Sequence, residues 1–559
     1  MAAAGVLAVY AVAVWLSGGF DLRVAGMRLR SHEWARPAVV ALVCAALGVW
    51  SDRSRVVAIL ERAWVRLDSP GVPRFVTMLA LIWTLAAAFV YSTGAVGGAD
   101  SYGYAGQAKL FAQGRLVDRV PLSPAFTWPD AETTLRPLGF TQGRAPGEIS
   151  PIYPPGLPMM LAPLMWFGER AIYLVVPAFG LSLVWGTYRV GVHLGDPLAG
   201  GVASLLVSAS PTFLFQLVQP MSDVPAAACW LGALLLGARA TSIASLGAGV
   251  MTALAILIRP NLAPLAILVA IPLLRPRAGI VPRLSAFAAP LVAGVLLLGW
   301  IQAVRYGSPL ASGYGTLGDA FALANIAPNL ARYPAWLTTT HTPFLWLWLL
   351  APAWFARRPA VRPFALVIFM FVVAVWCAYL PYVYFQPDEW FYTRFLLPAL
   401  PLMLVFATVV ALSVLRRLPT LFRPVAVVCL ATALCIALIG SASKHGAFEM
   451  RAQEQKYPRA GAYVRDELPQ GAFVFAMQHS GSIRYYADRA TIRWDMLDAN
   501  SLDACIATLR ALGHEPFAVV DKGEDPVFRQ KFEAAGQRAI HRLMPIAELG
   551  DARVYRFEQ

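Results

Sequence analysis

Asp100 lies in Gly97-Gly98-Ala99-Asp100-Ser101-Tyr102-Gly103-Tyr104, directly after the apolar run 74–96. A carboxylate at the edge of a bilayer, partly withdrawn from water, can accept a proton from an incoming hydroxyl, a contribution of about 10² to 10⁴ in rate. The same aspartate precedes Ser101 to Gln113, which reads as an interfacial helix, so it can also serve as that helix's cap. The helix N-terminus would then favour its ionised form. The sequence leaves both roles open.

Two arginines have complementary chemistry. Arg259 lies in Leu257-Ile258-Arg259-Pro260-Asn261 between two apolar runs, and Arg394 in Phe391-Tyr392-Thr393-Arg394-Phe395 at the edge of another. Placing arginine within a span costs about 2.5 to 3.5 kcal/mol on insertion scales, so a guanidinium this close to the hydrocarbon pairs with something. A lipid phosphate suits its planar fork. The competing readings are headgroup anchoring by snorkelling and, for Arg394, an ion pair with Asp388 or Glu389.

Tyr153-Pro154-Pro155-Gly156 holds the chain extended and then lets it turn, because proline restricts itself and the residue before it. With Tyr102 and Tyr104, this segment is expected to form a substrate loop. Asp223, in Ser222-Asp223-Val224-Pro225, opens a further run as a helix cap or a second acidic site residue. Tyr392 and Glu389 flank Arg394. His341, in Thr340-His341-Thr342-Pro343, is a site candidate or a hydrogen-bonded interfacial histidine.

The elements that must position these residues are membrane spans. Apolar residues make up 58% of the 559 positions and charged residues 14%, against about a quarter charged in soluble proteins. The pattern predicts an α-helical polytopic membrane protein. Runs near the ~20 residues that cross the hydrocarbon core fall at 1–18, 36–50, 74–96, 171–189, 197–218, 223–238, 242–258, 261–274, 284–302, 342–356, 363–384, 395–416 and 425–441, about thirteen spans. The first lacks a basic leader and is expected to be retained as a helix. Alternation in Phe20-Asp21-Leu22-Arg23-Val24 suggests a small interfacial hairpin between the first two.

Arginine-rich short loops resist translocation and mark the cytoplasmic side. Arg62, Arg66 and Arg74, then Arg275 and Arg283, then Arg357, Arg358 and Arg362, then Arg416, Arg417 and Arg423 all fall on one side of this span list. The loops 97–170, 303–341 and 385–394, and the tail, are therefore expected outside. The formal charge of +14 belongs to the membrane part, because residues 441 onward hold 16 basic and 16 acidic residues. Topology accounts for that excess better than a nucleic-acid partner does. The six cysteines show no CxxC or His/Cys ligand spacing, so neither a disulfide framework nor a zinc site is predicted.

From residue 445 the character changes. The strings 472–476, 491–494 and 517–521 read as strands, and 503–512 and 527–535 as helices, making a small α/β domain with enough chain for its own core. Gln478-His479-Ser480-Gly481-Ser482, after the first strand, is a binding turn or an ordinary strand-to-helix connection. The expected division is 1–73, an N-terminal two-helix extension and cytoplasmic loop; 74–441, a transmembrane catalytic domain; and 442–559, an extracytoplasmic α/β domain expected to be separable.

Asp100 after the first core span, Tyr153-Pro154-Pro155-Gly156 before the next, Ser222-Asp223 opening a later one and Tyr392-Thr393-Arg394-Phe395-Leu396-Leu397-Pro398 near the end together resemble the GT-C superfamily of membrane glycosyltransferases. The pattern is similar to glycosyltransferase family 39, with its protein O-mannosyltransferases and lipid A aminoarabinose transferases, over about residues 74–441. The resemblance implies an inverting sugar transfer from a polyprenyl-phosphate donor to an envelope acceptor. Asp100 would be the base and Arg394, with Arg259, would hold the phosphate. Two departures stand out: many relatives have Asp-Glu where this chain has Asp100-Ser101, and several have a basic residue where it has Tyr153. The resemblance fixes no cofactor and leaves a divalent metal open. A bacterial inner-membrane location is expected. The rivals are a transporter or flippase, for which inverted repeats and mid-span charges are missing from the sequence, and an O-antigen-type polymerase or ligase.

Overall fold

In the computed structural model, the residues described are 20–24, 27–31, 33–51, 53–239, 241–275, 278–384 and 389–558, with a few positions between 5 and 14. The first apolar run therefore lies mostly outside the described residues, as does Asp388. The expected hairpin is present: β1 (Phe20–Val24) pairs antiparallel with β2 (Met27–Ser31).

Among the described residues, five helices are long and apolar enough to cross a membrane: Gly71–Tyr91, Glu169–His193, Ile280–Tyr306, Arg362–Tyr379 and Arg423–Lys444. Two bent pairs add up to two more spans. Other apolar runs fold as shorter helices, among them Gly156–Met165, Asp223–Gly237 and Ser242–Ile258. Proline accounts for much of the breakage, since it cannot continue the ladder of hydrogen bonds. Pro197–Ala209 and Pro211–Leu217 meet at 59°, and Trp390–Leu396 and Leu400–Leu415 at 86° around Pro398. The second break holds Arg394 in a 3₁₀ turn instead of inside a straight span.

Small residues set the packing. Gly71–Tyr91 buries Thr77, Ala80, Thr84, Ala87 and Ala88 and leaves Phe75, Ile82 and Phe89 exposed. Its partner is Pro197–Ala209, where a side chain on Gly201 would come within 2.9 Å of the Pro73 carbonyl oxygen. Such close backbones are how helices associate where lipid is as apolar as the side chains. Thr77 and Ser204 bond across the pair at 3.3 Å. Asp196 caps the second helix through Ala199 N and binds the Arg416 fork, with Asp68 nearby. This network lies at the end of Gly71–Tyr91 away from Asp100.

The loop 97–170 carries the helix Asp100–Ala112 and a three-stranded sheet in the order β3 (Asp118–Arg119), β5 (Glu148–Pro151), β4 (Phe140–Gln142). β5 feeds directly into Tyr153. The tail holds a five-stranded sheet in the order β7-β6-β8-β10-β9. β6 (Phe473–Phe475), β7 (Ala490–Ile492) and β8 (Pro516–Asp521) lie close to the predicted strands and run parallel. The hairpin β9 (Leu543–Leu549) and β10 (Ala552–Phe557) was not expected. Pro545 masks β9, because proline in a string argues against a strand, yet an edge strand tolerates it. A register shift sits between Val554 and Tyr555, where Pro545 pairs.

The tail's core does not close on itself. One buried cluster joins Val96, Tyr102, Trp128 and Phe140 of the loop to Phe473, Tyr485, Ile492 and Trp494 of the tail. A smaller cluster around Val464, Val474 and Val519 is the tail's alone.

Candidate active site

Four segments converge on Asp100. Asp100 is the first residue of its helix and Ala99 holds the capping position, so the carboxylate is not the cap. Oδ1 accepts a hydrogen bond from the Tyr153 hydroxyl at 2.6 Å, and Oδ2 accepts from Arg394 Nη1 at 2.7 Å. Arg394 therefore pairs with Asp100 and not, as the sequence also allowed, with Glu389. The two are 294 positions apart, so the ion pair is a tertiary product of the bend at Pro398.

Burial pushes the Asp100 carboxyl up, but the Arg394 charge and the Tyr153 hydroxyl more than offset this and hold it below the ordinary carboxylate range. A carboxylate so held stays ionised at neutral pH, the form a base requires.

A second pair lies alongside. Asp223 is the first residue of its helix, after Ser222 in the capping position, and its Oδ1 accepts from Arg259 Nη2. Arg259 is buried, donates to the Tyr379 hydroxyl at 3.1 Å and so is not a snorkelling anchor. The Phe395 ring ties the pairs together, with the guanidinium carbons of Arg259 and Arg394 each 5.2 Å from its centroid. Such contacts contribute about 0.5 to 2 kcal/mol. Arg394 Nε is buried with no hydrogen-bond partner among the protein's own groups.

Gly156 explains the turn after Pro154 and Pro155. A Cβ there would lie 2.5 Å from Ile258 N and Leu257 C, so only glycine lets the tyrosine-bearing segment close onto the strand of chain entering Arg259. Tyr104 packs on Tyr153 at 4.8 Å with the rings tilted by 43° and hydrogen-bonds Ser222 Oγ at 2.8 Å. Tyr314, which sequence reasoning missed, meets Tyr153 edge-on at 5.9 Å. Nothing in its local sequence, Gly313-Tyr314-Gly315, marks it as a site residue.

No protein-family model matches the sequence, and no curated protein matches it. Solved structures do resemble it. ArnT from Cupriavidus metallidurans bound to undecaprenyl phosphate aligns with TM-score 0.51 and 12% identity over 88% of this chain and 98% of that one. The oligosaccharyltransferase of Archaeoglobus fulgidus in its apo form aligns with TM-score 0.50 and 12% identity over 87% and 74%. The arabinofuranosyltransferase AftD from Mycobacteria aligns with TM-score 0.51 and 14% identity over 86% of this chain and 41% of its own length. All are GT-C membrane glycosyltransferases. The chain has the GT-C fold. Its five described helices that are long and apolar enough to cross a membrane accord with that fold.

Within this GT-C fold the remaining candidates separate. Tyr102 turns to the other face of its helix, packing on Phe140 at 5.4 Å and filling the space that a side chain on Gly481 would need. It belongs to the seam with the tail. Tyr392 lies in an aromatic cluster with Tyr384 at 4.4 Å and Phe395 at 6.1 Å, behind Arg394. His341 is buried, with Nε2 on Ser210 Oγ and Nδ1 on Thr340 Oγ1, each at 2.7 Å, and neither partner belongs to the Asp100 cluster. Glu389 precedes the 3₁₀ turn, and its backbone carbonyl accepts from Tyr392 N at 3.3 Å. No group of three or more His, Cys, Asp or Glu among the described residues is placed to hold a metal ion.

Proposed function

We propose that the protein is an inverting glycosyltransferase that moves a sugar from a polyprenyl-phosphate-linked donor to a cell-envelope acceptor (glycan, lipid or protein) on the outer face of a bacterial inner membrane. The observation that carries this reading is the Asp100–Arg394 pair: an ionised carboxylate bonded to a guanidinium whose Nε is buried and unpartnered. The acceptor hydroxyl gives its proton to Asp100 as its oxygen attacks the anomeric carbon. The bond from that carbon to the phosphate oxygen breaks, and the lipid phosphate leaves with the electron pair. Displacement in one step inverts the anomeric centre.

Arg394 bridges base and leaving group: Nη1 remains on Asp100 while the exposed part of the fork faces the phosphate. Arg259, set beside it and neutralised by Asp223, adds to the field that develops as charge moves onto phosphate. The loop 97–170 covers the site and excludes water, which would otherwise compete as acceptor. The structural likeness to ArnT bound to undecaprenyl phosphate supports a polyprenyl carrier, and the arginine-rich loops support placing Asp100 and the tail outside.

Mass spectrometry of envelope glycans and lipids from a deletion strain, with and without the Asp100→Asn gene, tests the proposal. It expects a glycan or glycolipid to lose one sugar in both strains, and wild-type glycosylation in the Asp100→Asn strain would overturn it. A reporter fused after Gln559 tests the orientation, and activity confined to the cytoplasm would refute it.

A further inference from the structure

Residues 93–98, which lead into Asp100, are held mostly from the tail. The Gln455 side-chain amide donates to the Thr93 carbonyl at 2.8 Å, while Thr93 N donates to the Val218 carbonyl at 2.9 Å. Val96 N donates to the Tyr486 hydroxyl at 2.8 Å. The Tyr457 ring lies so close to Gly97 that a Cβ there would come within 2.0 Å of it, and the Gln478 and Tyr457 side-chain oxygens approach Gly98. Gly94 and Gly98 both have positive φ, at 55° and 60°, a path that few other residues follow. The helix of Asp100 is gripped as well, since Gly481 seats Tyr102, and further along the loop Leu138 N donates to Ser480 Oγ at 3.1 Å.

These gripping residues share one footing. Asp521, at the end of β8, accepts from Lys456 Nζ at 2.5 Å and from His479 Nε2 at 2.8 Å, and the Tyr457 ring packs on the His479 ring at 4.8 Å. The helix carrying Tyr457, the turn carrying Gln478 and the sheet are thereby joined into one body whose edge meets the Asp100 segment.

We propose that the C-terminal domain is part of the active site, with Tyr486 and Gln455 as positioning residues that fix the 93–98 segment and so aim the Asp100 carboxylate. This rests on Asp100 as the reacting group. It extends that reading by assigning the tail a role in turnover, beyond that of an appended module.

The test compares Tyr486→Phe, which removes the acceptor for Val96 N, and Gln455→Glu, which replaces the donor to the Thr93 carbonyl by an acceptor, in the full-length protein. Hydrogen exchange at amides 95–99 is measured together with kcat and KM for a polyprenyl-phosphate sugar. Faster exchange at Val96 by about three- to tenfold in Tyr486→Phe, with a similar fall in kcat and an unchanged KM, is expected for loss of one bond. Exchange unchanged in both variants overturns the clamp. Faster exchange with wild-type kcat overturns its role in positioning. Asp100→Asn is the control: full turnover in that variant would sink the base assignment, whereas accelerated exchange in Tyr486→Phe would still establish the clamp.

Discussion

Two carboxylate–guanidinium pairs share the Phe395 ring, and they differ in one physical respect. The Asp223 and Arg259 side chains are 1% and 9% exposed, while those of Asp100 and Arg394 are 31% and 16% exposed. Removing either partner of a buried pair leaves a charge that nothing solvates, so the first pair holds the site together. The second is open on one side and has a spare buried donor, so it can exchange contacts with a substrate. Similar chemistry thus serves as a strut in one place and as a working surface in the other.

The largest effect should come from breaking the strut. Asp223→Ala would leave Arg259 buried with only the Tyr379 hydroxyl and the Phe395 face, a loss of about 3 to 5 kcal/mol. Thermal unfolding in detergent should show a much lower midpoint and little folded protein. An unchanged midpoint with a purely kinetic loss would make this pair a second substrate-facing one and erase the contrast.

Next comes the base. Asp100→Asn keeps an oxygen for Arg394 and presents its amide NH2 to the Tyr153 hydroxyl, which can accept, but it cannot take a proton, so turnover should fall by at least about a hundredfold while the unfolding midpoint barely moves. Wild-type turnover would reduce Asp100 to a structural anchor for Arg394.

Arg394 sharpens the contrast further. If it stabilises the departing phosphate, its contribution grows as charge develops, so replacement should lower turnover more than apparent donor affinity. Lysine keeps the charge without the fork, and Arg394→Lys should retain more activity than Arg394→Ala while still losing about tenfold. Equal losses in both, in parallel with lost thermal stability, would return Arg394 to a structural role.

Which of these residues were legible in the sequence follows from the range of the interactions. Asp100, Arg259 and Arg394 stood out because a charge beside an apolar run demands a reason, and that reason is local. Their partners did not, because Asp100 to Arg394 and Asp223 to Arg259 are contacts across 294 and 36 positions that depend on helix breaks at prolines. The tail strands β6 to β8 were legible from short apolar strings. The β9–β10 hairpin was hidden by Pro545, and the shared core of loop and tail has no periodic signature. Tyr102 lies apart from the Asp100 cluster for a related reason: residues 100 and 102 are neighbours in sequence but about 200° apart around a helix.

Tyr153 offers the finest test of the working pair, because it bonds the Asp100 carboxylate as a neutral group where Arg394 bonds it as a cation. Its hydroxyl stabilises ionised Asp100 without adding charge. In Tyr153→Phe that bond is lost while burial and the Arg394 charge remain, so the Asp100 pKa must rise. Protonation of Asp100 removes the base, and the acid limb of the turnover profile should therefore move to higher pH. The loss should be greatest on the acid side, about threefold for one neutral hydrogen bond, and should vanish at alkaline pH where the carboxylate is ionised in both proteins. The comparison needs turnover profiles of the two proteins over the same pH range. A uniform loss at every pH would mean that Tyr153 orients the carboxylate or the donor without setting its proton affinity, and a limb moving to lower pH would contradict the hydrogen-bond direction itself.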